Sequence, residues 1–197
     1  MPRARGGNKS SSKTPSGTLR IIGGSWRGRK LSFREADGLR PTGDRVRETL
    51  FNWIAAEVPG ARCLDLFSGS GALGLEALSR GAAHVDFVDN AREAVSQVRE
   101  HLALLDASDR GHCHLAEAAS FLANASGAYD IVFLDPPFGR GLAGPVCSAL
   151  AESGLLAQGA QIYLEMARNE EEPELPAAWD LYRDKQAGAV RYRLYLG

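Results

Sequence analysis

Asp135-Pro136-Pro137-Phe138 puts a carboxylate, two rigid carbonyls and an aromatic ring in four consecutive positions. The apolar run Tyr129-Asp130-Ile131-Val132-Phe133-Leu134 precedes it and reads as a buried parallel strand. The tetrapeptide therefore sits at the carboxyl end of a strand, where open α/β sheets place their ligands. Both prolines fix φ and lack an N–H, which leaves their backbone carbonyls rigid and unpaired. Such a socket suits a planar base with an exocyclic amino group, Asp135 and the Pro136 carbonyl accepting from the amine while Phe138 stacks on the ring. The matching chemistry is methylation of that amine, whose lone pair is delocalised until acceptors on its hydrogens draw the nitrogen toward a nucleophilic geometry. Asp135, Pro136, Pro137 and Phe138 are the catalytic candidates. The competing reading of Phe138 is a core aromatic.

A second constellation starts at Asp65-Leu66-Phe67-Ser68-Gly69-Ser70-Gly71, between a predicted strand at 62–67 and a predicted helix at 71–80. Gly69 and Gly71 let the backbone turn tightly and approach a ligand. The next predicted strand ends at Asp89, an acidic residue placed to hold ribose hydroxyls. Gly69-Ser70-Gly71-Ala72-Leu73-Gly74 is also literally G-x-G-x-x-G with Asp89 downstream, the fingerprint of dinucleotide binding. Asp65 separates the two readings. A carboxylate beside the turn repels a pyrophosphate at the helix N-terminus, but it attracts the ammonium and favours the sulfonium of S-adenosyl-L-methionine. That ligand is the expected cofactor.

His112-Cys113-His114 invites a metal reading, since strand alternation sends both histidines to one face; no third ligand is evident, and no metal is expected. Cys63, Cys113 and Cys147 are odd in number and far apart, which points to free thiols and a reducing cytoplasm. No run of about 18 apolar residues exists, so no membrane span is expected.

The 197-residue chain is 44% hydrophobic, enough for one packed domain with an appendage. Its net charge of −1 conceals an asymmetry: residues 1–47 carry a balance of +9 and residues 48–197 one of −10. The basic share includes Arg20, Arg27, Arg29, Lys30, Arg34, Arg40, Arg45 and Arg47, interleaved with Trp26 and Phe33, the electrostatic footprint of a phosphate-backbone partner. Arg40 and Arg45 have an alternative role in pairing with Glu48 or Asp44.

Residues 1–18 form a basic low-complexity tail expected to be disordered. Leu19–Ile22 and Arg29–Phe33 read as two strands joined through Gly23-Gly24-Ser25, and Arg45–Glu57 as a helix capped by Thr42 or Asp44. Further strands are expected near 84–88, 112–115, 129–134 and 160–165, alternating with helices near 91–105, 117–123 and 144–153. Trp179–Lys185 and Val190–Leu196 then close the fold as an antiparallel pair. This order predicts an α/β Rossmann-like doubly wound sheet, mostly parallel, with a C-terminal hairpin. The expected organisation is a tail (1–18), an N-terminal hairpin and loop (19–43) and a catalytic domain (44–197).

Over residues 19–197 the chain resembles the RsmD family, bacterial methyltransferases acting on a guanine N2 in small-subunit ribosomal RNA. The resemblance rests on Arg20-Ile-Ile-Gly-Gly-Ser-Trp-Arg-Gly-Arg-Lys-Leu31, Leu39-Arg-Pro-Thr-Gly-Asp-Arg-Val-Arg-Glu-Thr-Leu-Phe-Asn52, Cys63 to Leu78, Asp130 to Phe138 and Arg193-Leu194-Tyr195. It implies a class I S-adenosylmethionine-dependent fold and 16S rRNA as partner, in the small subunit or an assembly intermediate, with the family target guanine 966. It places Asp65, Phe67, Gly69, Ser70 and Gly71 toward the methionine end, Asp89 at the ribose, and Asn90 and Glu117 near the adenine. Glu117 stands where Asp or Asn is frequent, and Asp89 where Glu is common. Arg20, Trp26, Arg27, Arg29, Lys30, Arg40, Thr42 and Arg45 are the expected RNA-binding residues of a monomer. Methylation of DNA adenine or a protein glutamine, and a catalytically silent RNA-binding assembly role, are the alternatives.

Overall fold

The computed structural model describes residues 17–33 and 42–197. Most of the expected tail, Arg34, and the loop at Arg40-Pro41 lie outside the described residues. Gly17 and Thr18, assigned to the tail, instead open the first strand. Strands β1 (Gly17–Arg20) and β2 (Lys30–Phe33) form an antiparallel hairpin with Leu19 opposite Leu31. The link between them includes a 3-10 turn at Gly24–Trp26. An isolated two-stranded hairpin is marginal in water. This one gains its stability by burying Leu19, Ile21, Leu31 and Phe33 in the core shared with the helices.

Helix α1 covers Asp44–Trp53, shorter than expected. Its last turn loosens ahead of Pro59, which disfavours helical backbone in the residue before it. Neither Thr42 nor Asp44 caps it: the N-cap position is Gly43, without a side-chain cap. Both polar side chains are engaged elsewhere, as described below.

From β3 (Arg62–Asp65) the chain alternates: α2 (Ala72–Ser79), β4 (His84–Asp89), α3 (Arg92–Leu104), β5 (Gly111–Leu115), α4 (Ala118–Asn124), β6 (Tyr129–Leu134), α5 (Ala143–Glu152) and β7 (Leu156–Ala167). β8 (Asp180–Ala187) and β9 (Val190–Leu196) follow. The sheet order is β5-β4-β3-β6-β7-β9-β8, with β9 inserted antiparallel between β7 and β8. β7 extends beyond the expected 160–165 because it is paired on both flanks, parallel to β6 and antiparallel to β9.

The chain winds outward from β3 to β4 and β5, then crosses back to β6 and β7 on the other side. The reversal opens a crevice above the carboxyl ends of β3 and β6, the ligand position of doubly wound sheets. Strand alternation divides the core into two layers. Cys63, Phe87, Ile131, Phe133 and Tyr163 pack with the hairpin, α1, α2 and α3. Leu64, Val88, Val132, Leu134 and Ile162 pack with α4 and α5. The three cysteines are free, and among the described residues no helix is long and apolar enough to cross a membrane.

Candidate active site

Asp65 ends β3, is 2% exposed, and accepts from the Gly74 N–H at 3.0 Å through Oδ2. Burial pushes its carboxyl up to about 7, opposed by that hydrogen bond and reinforced by the charge of Asp89. The turn after β3 is pinned by Ser68 N–H to Val88 O (2.9 Å) and Gly71 N–H to Ser68 O (2.6 Å). Gly71 has φ of 78°, in the left-handed region. Gly74 is needed for another reason: a Cβ there would lie 2.2 Å from Phe87 Cε1, so α2 could not approach β4.

Asp89 spans the turn, accepting from Gly69 N–H at 2.9 Å and Ala91 N–H at 2.8 Å. A carboxylate has about four lone-pair sites, so acceptor capacity remains for ribose hydroxyls. Beyond it, the exposed Asn90 side chain donates to Glu117 Oε1 at 3.0 Å, joining the two residues assigned to the adenine end. Phe67 is half-buried and Ser70 buried. The Ser68 hydroxyl is buried with no hydrogen-bond partner among the described residues. A buried carboxylate short of a cation, an orphaned hydroxyl and an exposed amide–carboxylate pair along one rim fit S-adenosylmethionine. They do not fit a pyrophosphate.

Asp135 follows β6 and accepts from the Thr42 hydroxyl at 3.2 Å. Burial raises its carboxyl well above the usual range; Glu165 and Asp65 add to this, and the Thr42 hydrogen bond acts against it. Pro136 is buried and Pro137 exposed. Phe138 is 43% exposed, so the core reading fails: its ring is open to a partner. Strand alternation aligns Asp65, Asp135 and Glu165 with Cys63, Phe133 and Tyr163, on the sheet face covered by α1 and α2.

Thr42 reaches Asp135 because Arg47 holds it. The 1%-exposed Arg47 donates through Nε to Thr42 O (3.1 Å) and through Nη2 to Arg20 O (2.9 Å) and Asp44 Oδ1 (2.7 Å). Its Nη1 lies 3.4 Å from Glu76 Oε2. Glu76, fully buried on α2, also accepts from Ile22 N–H (2.8 Å), Gly23 N–H (2.7 Å) and Arg80 Nε (2.7 Å). Burial lowers the pKa of Arg47, against the pull of Glu76 and Asp44. Arg47, although part of the basic stretch, is therefore turned inward. It clamps the hairpin, α1 and α2 together.

The remaining basic residues divide by position. Arg27, Lys30 and Arg45 are exposed. Arg20 is exposed but paired with Asp44 at 3.0 Å, and Arg29 donates to Leu104 O at 3.2 Å. Asp44 thus goes to Arg20 and Arg47 rather than to Arg45. Trp26 is half-buried, with the Arg110 guanidinium 5.4 Å from its ring centroid, so one face is occupied. Arg40 lies outside the described residues.

The histidine pair does find further candidate ligands, contrary to expectation. His84, Asp86 and His112 present ligand atoms within 4.8 Å of one another. β4 and β5 pair in parallel with Asp86 opposite His112, a neighbourhood invisible in local spacing. Asp86, however, already accepts from His114 (2.7 Å), Tyr129 OH (2.9 Å) and Arg62 (3.3 Å). Asp86 is thus the hub of a hydrogen-bond network, and the His112 ring packs edge-on against His84 with centroids 4.6 Å apart. Sequence reasoning also missed Glu165 and Glu76. Glu165 ends the predicted strand 160–165 as Asp89 ends its own, so the signal existed; Glu76 gave none.

The profile of the family described as "Conserved hypothetical protein 95" matches residues 19–196. Ribosomal RNA small subunit methyltransferase D of Escherichia coli K12 is 49% identical over 95% of this chain and 94% of its own. The Haemophilus influenzae protein of the same name is 43% identical over 91% of this chain and 94% of its own. The solved structure of the putative methyltransferase yhhF from Escherichia coli superposes with a TM-score of 0.85 at 48% identity, covering 91% of this chain and 98% of that one. Sequence, sheet order and the Asp65 turn agree: the chain belongs to the RsmD family and has the class I fold of S-adenosyl-L-methionine-dependent methyltransferases.

Proposed function

We propose that this protein methylates the exocyclic N2 amine of a guanine in 16S ribosomal RNA, the family target guanine 966, using S-adenosyl-L-methionine. The observation that carries the reading is Asp135 at the carboxyl end of β6, next to an exposed Phe138 and across the crevice from Asp65. Relatives that are nearly half identical are named as small-subunit rRNA methyltransferases, which supports the RNA substrate. S-adenosylmethionine supplies a methyl group on a sulfonium, a leaving group that needs no further activation. The protein's task is then to hold nitrogen and methyl in line at near-attack distance.

Asp65, Phe67, Gly69, Ser70 and Gly71 hold the methionine end, Asp89 the ribose, and Asn90 with Glu117 the adenine. Asp135 and the Pro136 carbonyl accept from the guanine amine, Pro137 keeps that loop rigid, and Phe138 stacks on the base. Base–aromatic stacking contributes ~1–3 kcal/mol, enough to help hold a base splayed from its RNA context. Arg20, Trp26, Arg27, Arg29, Lys30, Arg40 and Arg45 form the RNA-holding side; Thr42, expected among them, is buried and spends its hydroxyl on Asp135 instead. The substrate is the small subunit or an assembly intermediate, met by a cytoplasmic monomer.

A tritiated-methyl transfer assay on small subunits, naked 16S rRNA, DNA and protein, followed by nucleoside mass spectrometry, tests this. N2-methylguanosine in 16S rRNA is the expected product. Label in adenine or glutamine, or no label despite S-adenosylmethionine binding, rejects it. Asp135→Ala should abolish turnover while donor affinity stays within about twofold.

A further inference from the structure

Glu165 lies on the last stretch of β7, next to β6, which Asp135 follows, with Leu134 and Leu164 in register. Both carboxyl groups emerge on the α1 face, and Glu165 is 4% exposed. The Tyr163 hydroxyl donates to Glu165 Oε2 at 2.7 Å. Thr42 donates to Asp135 at 3.2 Å and also bears on Glu165, whose negative charge it favours. Asp65 on β3 adds a further negative charge on this side, and Tyr192 on β9 packs behind Tyr163 with ring centroids 6.4 Å apart. Among the described residues no lysine or arginine forms an ion pair with Asp135 or Glu165, while the neighbouring Glu76 has two.

Two neighbouring carboxylates without a cation, Glu165 buried and Asp135 half-buried, cannot both ionise cheaply, and each raises the other's proton affinity. We propose that Asp135 and Glu165 act as a carboxyl pair joined through Thr42, in which Glu165 is a positioning residue that makes Asp135 a base strong enough to take the amine proton. The inference rests on the methylation reading above and adds a role for Asp135 beyond orientation. When the amine nitrogen bonds to the methyl carbon and the carbon–sulfur electron pair returns to sulfur, one N–H proton is left over. Asp135 receives it, ending neutral, and the methylated amine leaves uncharged. A carboxylate in its ordinary range is a weak base at neutral pH, and catalytic bases work best with affinity near the operating pH. Tyr163 favours negative charge on Glu165, which concentrates the shared proton affinity on Asp135. Burial raises both groups in the same direction.

The test is the pH dependence of single-turnover methyl transfer by Glu165→Gln, which keeps the shape and removes the charge. The acid limb should move down by about one pH unit or more, and the high-pH plateau should fall roughly three- to tenfold as Asp135 becomes the weaker base. S-adenosylmethionine affinity should stay within about twofold. A merely structural role lowers the rate at every pH and leaves the limb in place; an unmoved limb overturns the proposal. Carbon-detected NMR titration of the wild-type side chains provides a second test, independent of the variant's folding and of the substrate. Asp135 and Glu165 should titrate in two separated steps, the upper one well above the ordinary carboxylate range. Joint ionisation within that range overturns the pair even if methylation is confirmed, whereas a transfer assay without product rejects the methylation reading and leaves the titration to be judged separately.

Discussion

Asp65 is a carboxylate kept in an environment that suits a cation better than water. The unfolded chain releases its proton near the ordinary 3.8, while the folded, ligand-free protein holds it to about 7. Between those values the folded state binds more protons, so this residue makes ligand-free stability fall as pH rises through that window. A cation held against Asp65 favours the ionised form, so affinity for S-adenosylmethionine should rise with pH up to about 7 and then level off. Calorimetric titration between pH 5.5 and 8.5 should show this slope in the wild type and lose it in Asp65→Asn. A slope that persists in the variant assigns it to another group. Asp89 behaves differently, because the backbone already uses it. Asp89→Ala strands the N–H groups of Gly69 and Ala91. It should cost about 1–3 kcal/mol of ligand-free stability in addition to weakening donor binding. Chemical denaturation of the apo protein measures the first effect, and a stability equal to wild type would show that water replaces the carboxylate. Asp65 was legible from its place beside the Gly-rich turn, and Asp89 because it ends a predicted strand. Glu165 had the same signal, but only its burial beside Asp135 gives it meaning.

At the scale of elements, the hairpin and α2 are joined by buried charge. Arg47 gathers Arg20, Thr42 and Asp44, and Glu76 gathers Ile22, Gly23 and Arg80. Removing one partner of a buried pair leaves the other charge uncompensated, at ~3–5 kcal/mol. Glu76→Ala should therefore lose stability on that scale and detach the hairpin. Hydrogen exchange at Ile22 and Gly23 should then rise well above exchange in β3. Equal protection in variant and wild type would mean that apolar packing of Leu19, Ile21 and Leu31 suffices. Element types followed from periodicity, and the helix–strand alternation was readable throughout. The ends of α1 and β7 were not: Thr42 and Asp44 look like caps until tertiary partners claim them, and β7 grows because two neighbours satisfy its backbone.

Across the whole molecule, the basic first 47 residues oppose an acidic remainder of balance −10, which should direct a polyanion to the hairpin side. Arg27 and Lys30 are exposed there and form no ion pair among the described residues. Each phosphate contact adds about 0.7–0.9 to the salt slope of binding. Reversing the charges of Arg27, Arg29 and Lys30 should flatten that slope by up to roughly two to three, with donor affinity unchanged. Filter binding of rRNA across a salt series decides, and an unchanged slope places the RNA elsewhere.

Local sequence sufficed for the doubly wound order and the family, and it singled out the turn after β3 and the Asp135-Pro136-Pro137-Phe138 segment that we propose hold the methyl donor and the base. Each is encoded over a few contiguous residues, where spacing and backbone constraints are local. Tertiary structure alone decided that Arg47 is a buried clamp, that Asp86 collects His84, His114 and Tyr129, and that Glu165 lies beside Asp135. The clamp's contacts to Arg20 and Glu76 and the Asp86–His114 contact join residues 27 to 29 positions apart in partly or fully buried surroundings. Charge in that setting is governed by its neighbours in space, and chain spacing does not reveal them.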